Sequence, residues 1–307
     1  MAKSILRLAT RTSPLALWQA NEVKHQLHSH HPHLQIELIG LITAGDKRTD
    51  IALTQIGGKS LFVKELQNAL LDNKADIAVH SVKDMSVTPT AGLALTTVCQ
   101  RGDPRDALVA KPGYRWENLP LNAIVGTTSP RRQCQLLAHR PDLIIRTLRG
   151  NVGSRLAKLD QEEFDAIVLA SAGLTRLGLA ERISDYLNPD QFIPAIGQGA
   201  LGIECRTEDQ QTQNWLSCLN DLASQQCIEA ERAVNRRLGG DCYTPIGAYA
   251  VIAAENLNLS AMVGSLDGKM IIKDQVSGHR DQAAFLGELL AEKLLSKGAE
   301  DLCRSWR

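Results

Sequence analysis

Aromatic residues are scarce in this chain, only 4% of 307, and net charge is absent, with 34 basic side chains set against 34 acidic ones. Nucleic acid binding draws on a basic surface and on aromatic platforms for the bases, so both shortages exclude a nucleic-acid partner from the expectation. No apolar run is long enough to span a bilayer, and no membrane association is expected. The opening MAKSILRLATRTS enters a strand-like pattern at once, without the apolar block and cleavage site of a secretory leader. CxxC pairs are missing, and the seven cysteines (Cys99, Cys134, Cys205, Cys218, Cys227, Cys242, Cys303) are odd in number and scattered. That pattern fits neither a disulfide framework nor a thiolate zinc site, and the expected setting is a reducing cytoplasm. The histidines of KHQLHSHHPH (His25, His28, His30, His31, His33) straddle a helix end and a proline with no accompanying carboxylates. A solvated helix terminus accounts for them better than a metal centre, and no metal is expected.

What is present is the composition of a globular protein, 44% hydrophobic and 22% charged, in a chain too long for one ordinary core. Short apolar runs alternate with amphipathic segments over the first two thirds. Residues 5–9 read as a strand. Ser13 then caps a helix with Pro14 at its first position and Ala16, Ala20, Val23 and Leu27 at helical spacing. Leu34, Ile36 and Leu38 alternate as a strand, Phe62, Leu66, Ala69 and Leu70 form a helix face, and residues 77–80 a further strand. This βαβα order predicts mainly parallel sheets with helices on both faces. Thr12-Ser13-Pro14 after the first strand has an echo in Thr128-Ser129-Pro130 after the strand 123–126. Chance explains three residues as readily as duplication does, but the strand before and helix after match as well. Beyond residue 220 the order changes to a helix over 227–238, strands over 246–253, 257–263 and 269–275, and a final helix with Phe285, Leu286, Leu289, Leu290 and Leu294 on its apolar face. That is the pattern of a small antiparallel α+β domain.

Positive charge is concentrated locally. Residues 126–155 hold Arg131, Arg132, Arg146, Arg149 and Arg155 beside the hydroxyls of Thr127, Thr128 and Ser129. Guanidinium forks and the free N–H groups of a helix start both suit carboxylate or phosphate, so a small ligand with several anionic groups is expected. Asp84 follows Lys83 at the carboxyl end of a strand, where open α/β sheets place ligands, and reads either as a turn-making carboxylate or as an acid kept ionised among cations. Cys242 lies on the glycine-rich stretch RRLGGDCYTPIG and reads either as a small buried residue or as an accessible nucleophile. The segment IGGKS lacks the spacing of a phosphate-binding loop, so no nucleotide is expected there; the polar stretch 46–54 before it reads as a surface loop or a lid.

The segments RTSPLALWQ, GGKSLFVKEL, DIAVHSVKD, GDPRDAL, VGTTSPRRQ, LRGNVGSRL, PAIGQGALGIE and GGDCYTPIG, taken in order and spacing, resemble the porphobilinogen deaminase family of tetrapyrrole biosynthesis nearly end to end. The resemblance implies two α/β domains like those of solute-binding proteins with a cleft between them, plus a small C-terminal α+β domain with a three-stranded antiparallel sheet. The expected boundaries are 1–99 with 200–217, 105–193, and 222–307. It further implies a transferase, a monomer, that condenses porphobilinogen onto a dipyrromethane cofactor held by thioether at Cys242, with Asp84 as the catalytic carboxylate. Lys83, Thr127, Thr128, Ser129, Arg131 and Arg132 are implied as cofactor-binding, and Arg11, Ser13, Lys59, Arg149, Arg155 and Arg176 as substrate-binding. Two positions depart from the family's habit: Asp241 stands before the cysteine in place of a small residue, and Gln55 where relatives often have lysine. Two rival classes remain. A non-enzymatic two-lobed binder of a small polycarboxylate would use the arginines but leave the cysteine segment idle. A thiol enzyme would need a histidine partner among His80, His139 and His279, none of which sits in a recognisable motif.

Overall fold

The computed structural model describes residues 5–43, 63–240 and 244–304. They divide into two compact units, Met1–Gly102 with Ala200–Gln225, and Asp103–Gly199 with Gln226–Arg307.

In the first unit β1 (Ile5–Arg11), α1 (Pro14–His30), β2 (Gln35–Leu41), α2 (Lys64–Leu71), β3 (Ile77–Ser81) and β4 (Leu93–Val98) follow one another. Alternation along β1 decides the layers. Leu6 and Leu8 pack beneath Ala20, Val23 and Leu27 of α1. Ala9, on the opposite face, meets Leu66, Ala69 and Leu70 of α2. Both faces of the sheet are therefore covered, as the βαβα pattern predicted.

The second unit begins with β5 (Asp106–Ala110), β6 (Ile124–Gly126), α3 (Pro130–His139), β7 (Ile144–Arg146), α4 (Val152–Asp160), β8 (Ala166–Ala170), α5 (Ser171–Arg176) and β9 (Asp185–Tyr186). The chain then returns to the first unit with β10 (Leu201–Arg206) and α6 (Gln210–Leu216). The two five-stranded sheets have the orders β2-β1-β3-β10-β4 and β7-β6-β8-β5-β9. In the first, β1 is parallel to β2 and β3, and β10 runs antiparallel to β3 and β4. In the second, β6 is parallel to β7 and β8, and β5 runs antiparallel to β8 and β9. The correspondence is strand for strand, so the short Thr-Ser-Pro echo belongs to a repeat of the whole sheet. Each sheet is mixed rather than all parallel, because its fourth strand lies where the chain enters from or returns to the other unit.

Next comes α7 (Leu222–Leu238), which starts earlier than the sequence pattern indicated because Ser224 N is capped by Asp221 Oδ2 at 2.8 Å. Then follow β11 (Ile246–Ala253), β12 (Asn256–Gly264), β13 (Ile271–His279), α8 (Ala283–Leu294) and α9 (Glu300–Arg304). The three strands form an antiparallel sheet in the order β11-β12-β13. Ala230, Val234 and Leu238 of α7 and Leu286, Leu290 and Leu294 of α8 cover one face, over Ala248, Leu257 and Leu259. The two helices touch where Gly287 meets the carbonyl of Ala230, too close for a Cβ. Phe285 is 59% exposed and Leu289 38%. They sit at the margin of the stripe, since each residue turns a helix by roughly 100°.

The other face of this sheet carries Met262, which packs with Cys134 of α3 and with Ile193. Burial pushes the Cys134 thiol up to about 12. The turn between β12 and β13 bears on the same helix. Gly268 has φ +71°, and a Cβ there would lie 2.6 Å from Ala138 N and 2.7 Å from Cys134 O. Both obstacles are backbone and cannot rotate away. Gly268→Ala is therefore expected to destabilise the fold by roughly 2 kcal/mol; urea unfolding of the two proteins checks this.

Candidate functional site

In the first unit the sequence-predicted residues gather at one sheet edge. β1 and β3 are parallel neighbours in register Leu8↔Ile77 and Ala9↔Ala78, so their carboxyl ends emerge together. Arg11 ends β1, and Ser13 caps α1 by accepting from Ala16 N at 3.4 Å. After β3 a single 3-10 turn, Val82–Asp84, carries Lys83 and Asp84. That turn is tightly held. Gln19 of α1 donates to Ser81 Oγ at 2.9 Å, Val82 N donates to Ala200 O at 3.1 Å, and Val82 and Met85 are buried on either side of the half-buried Lys83 and Asp84. Among the described residues the Asp84 carboxylate makes no hydrogen bond or ion pair.

The second unit repeats the placement. Thr127, Thr128 and Ser129 follow β6, Arg149 follows β7 by three residues, and Arg176 ends the helix after β8; these three strands are parallel neighbours. Ser129 caps α3 by accepting from Arg132 N at 3.4 Å, with Pro130 at the first position, as Ser13 does for α1. Thr127 Oγ1 accepts from Ser129 N, and Thr128 Oγ1 donates to Leu148 O. Arg155 donates from Nε to Gly150 O at 2.8 Å, and Arg176 from a terminal nitrogen to Gly199 O at 2.6 Å.

Arg131 and Arg132 are largely internal, 3% and 8% exposed. Both grip Asp106 at the start of β5, itself 1% exposed. Arg131 donates to its two oxygens at 2.8 and 3.2 Å, Arg132 Nε to Oδ1 at 3.0 Å, and Gln198 Nε2 to Oδ1 at 2.9 Å. Backbone carbonyls take further bonds, Ile193 O from Arg131 and Val168 O from Arg132. Burial alone would raise the Asp106 pKa, but the two guanidinium groups and the bonds from Arg131 and Gln198 outweigh it and hold the carboxyl well below the usual range. For Arg132 burial dominates, reinforced by the charge of Arg131, and the guanidinium is shifted downward against the pull of Asp106. Two cations face one anion, and Arg131 Nε is buried with no hydrogen-bond partner among the described residues. The sequence reading missed Asp106 and Gln198. No local pattern marks an acid whose partners lie 25, 26 and 92 positions away.

His80 also has a buried neighbour, Glu204 of β10, with Nε2 and Oε2 3.2 Å apart in poor alignment for a hydrogen bond. Gln67 donates to both oxygens of Glu204, and Thr90 to Gln67. His139 lies against Phe192, and His279 near Glu255 and Asp281. His25, His28 and His30 fall on the last turns of α1, and His31 Nε2 lies 3.1 Å from Trp215 O. Among the described residues no group of His, Cys, Asp and Glu could hold a metal ion, and no helix is long and apolar enough to cross a membrane. Cys242, Asp241, Lys59, Gln55 and the stretch 46–54 lie outside the described residues. The described donors of the second unit suit carboxylates: the start of α3 capped by Ser129, the hydroxyls of Thr127 and Thr128, and a guanidinium pair with surplus positive charge. A dipyrrole bearing acetate and propionate groups fits that set.

Comparison with known proteins agrees. Residues 6–214 match the family model described as porphobilinogen deaminase, dipyromethane cofactor binding domain, and residues 225–296 match porphobilinogen deaminase, C-terminal domain. Among solved structures, the periplasmic VFT2 domain of Bordetella pertussis BvgS is 16% identical over 70% of this chain and 86% of its own, with a TM-score of 0.40. The aliphatic sulphonate binding protein SsuA from Escherichia coli is 13% identical over 76% and 70%, with a TM-score of 0.40. A YaeC-family lipoprotein from Enterococcus faecalis is 12% identical over 75% and 97%, with a TM-score of 0.42. Those three likenesses are too slight to bear on ligand or activity. The two family models between them span most of the sequence, and the chain belongs to the porphobilinogen deaminase family.

Proposed function

We propose that the residues at the carboxyl edges of the two five-stranded sheets carry out the family's transferase reaction. That reaction is the stepwise head-to-tail condensation of four porphobilinogen units with loss of ammonia, followed by hydrolytic release of linear hydroxymethylbilane. The dipyrromethane cofactor, attached through Cys242, supplies the primer on which the chain is built. Everything else falls to the protein's own side chains. Each porphobilinogen brings an acetate and a propionate, so the need for cations grows with every addition. Lys83, Thr127, Thr128, Ser129, Arg131 and Arg132 hold the carboxylates of the cofactor, and Arg11, Ser13, Lys59, Arg149, Arg155 and Arg176 those of the incoming and added units.

The observation that carries this reading is the state of Asp84. Its turn is anchored on both sides, yet its carboxylate has no partner among the described residues. A fixed, uncommitted anion suits a reaction in which positive charge develops on a pyrrole as ammonia departs. Placed against the pyrrole N–H, Asp84 stabilises that charge and accepts the proton released when the new carbon–carbon bond forms. We also read the chain as a monomer of three domains, with the boundaries 1–99 with 200–217, 105–193, and 222–307. We also place it in a reducing cytoplasm, the setting in which the free thiols of Cys134, Cys205 and Cys218 persist.

Intact mass of the purified protein tests the reading first. It should exceed the sequence mass by two pyrrole units, and the increment should vanish in Cys242→Ser; the increment surviving in that variant would move the attachment to another residue. Asp84→Ala should keep the increment and lose about a hundredfold in turnover, and near-parent turnover would take Asp84 out of the mechanism. Arg149→Ala should accumulate partly extended chains visible by mass, whereas unchanged kinetics would make that arginine structural.

A further inference from the structure

The buried cluster around Asp106 has more positive charge than its own stability requires. A strut inside a protein needs one cation per carboxylate, and a second guanidinium in the same place is a burden unless something else uses it. Asp106 cannot be the group that meets a ligand. It is 1% exposed, and its two oxygens already accept from Arg131, Arg132 and Gln198. Arg132 is in a different position. Its Nε and one terminal nitrogen are fixed on Asp106, and its other terminal nitrogen on Val168 O, midway along the strand that leads to Arg176. The plane of the guanidinium is thereby locked, while the backbone N–H of the same residue donates to the capping hydroxyl of Ser129. Arg131 is locked in the same way between Asp106 and Ile193 O.

We infer that Asp106 is a positioning residue for the transferase: it sets the orientation of Arg131 and Arg132, and through them the hold on the carboxylates of the dipyrrole, without touching either substrate or cofactor. The inference rests on the reading above that these two arginines serve those carboxylates. Gln198 is its second support, since it joins Asp106 Oδ1 to Pro104 O and fixes the carboxylate plane from the other side. Freed of Asp106, two flexible forks of like charge would separate, and the net charge gained would not restore a fixed geometry.

Two double-mutant cycles read by melting temperature test this, with intact mass reporting the load of each preparation. Asp106→Asn is combined with Cys242→Ser, which removes the attachment point, and Arg132→Ala is combined with it in parallel. A structural Asp106 lowers the melting temperature equally with and without the dipyrrole. A positioning Asp106 lowers it further in the loaded protein, by about 5 °C, or yields a folded protein that has lost the two-pyrrole increment. Additive behaviour of Asp106→Asn beside coupled behaviour of Arg132→Ala overturns the inference and leaves the role of the arginines standing. Additivity in both cycles overturns that role and the inference with it. If Asp106→Asn does not fold, Gln198→Leu takes its place; it removes one donor from the same carboxylate, keeps all three charges, and is judged by the same outcomes.

Discussion

A parallel strand that ends in a serine-capped helix places several polar groups at one edge of a sheet. The strand's last residues, the capping hydroxyl and the first free N–H groups of the helix must all emerge there, because the chain has nowhere else to turn. This protein uses the arrangement twice, after β1 and after β6, with Ser13 and Ser129 in equivalent places and proline following each. The neighbouring parallel strands add Asp84 on one sheet and Arg149 and Arg176 on the other. Chemistry-bearing residues far apart in the chain come together because strands of the same direction share an end.

The packing beneath those edges is of two kinds. Around Asp84 it is mostly apolar, with Val82 and Met85 as anchors and Gln19 as a single polar clamp. Beneath α3 it is ionic. A buried carboxylate among guanidinium groups contributes little net stability over a well-packed apolar alternative, yet breaking it by losing one partner costs about 3–5 kcal/mol. The cluster therefore fixes geometry more than it adds stability. It locks the start of β5, the first turn of α3 and the middle of β8 in one arrangement, and Gln135 extends the lock by pairing with both backbone groups of Ile193.

Much of this was legible in the sequence because it is local. The caps at Ser13 and Ser129 announce themselves by Thr-Ser-Pro after an apolar run, and β11 is bounded as its pattern says. Elsewhere local reading drifted. The last strand was expected over 269–275 and runs Ile271–His279, because Lys269 belongs to the turn and the polar residues Ser277 and His279 continue an exposed edge. Helical spacing includes Phe285 and Leu289 in the apolar stripe of α8, whereas both lie on its outer margin. Asp106 and Glu204 were invisible as partners because each meets its counterpart only after the sheets assemble. The family resemblance extends to Cys242 and Lys59, which lie outside the described residues, so the parts proposed for them rest on the resemblance and not on geometry.

The strand orders also bear on how the polypeptide assembles as it leaves the ribosome. All five strands of the β7-β6-β8-β5-β9 sheet lie in one uninterrupted stretch, Asp106 to Tyr186, and can pair as soon as that stretch is made. The other sheet must wait. Its β10 comes from residues 201–206 and separates β3 from β4, so β4 has no neighbour until about a hundred further residues have been synthesised, on the order of 5–20 seconds at ordinary elongation rates. Nascent chains of this protein thus pass through an interval in which the amino-terminal layer carries an unsatisfied strand, and a polypeptide truncated before Leu201 would keep that exposed edge permanently.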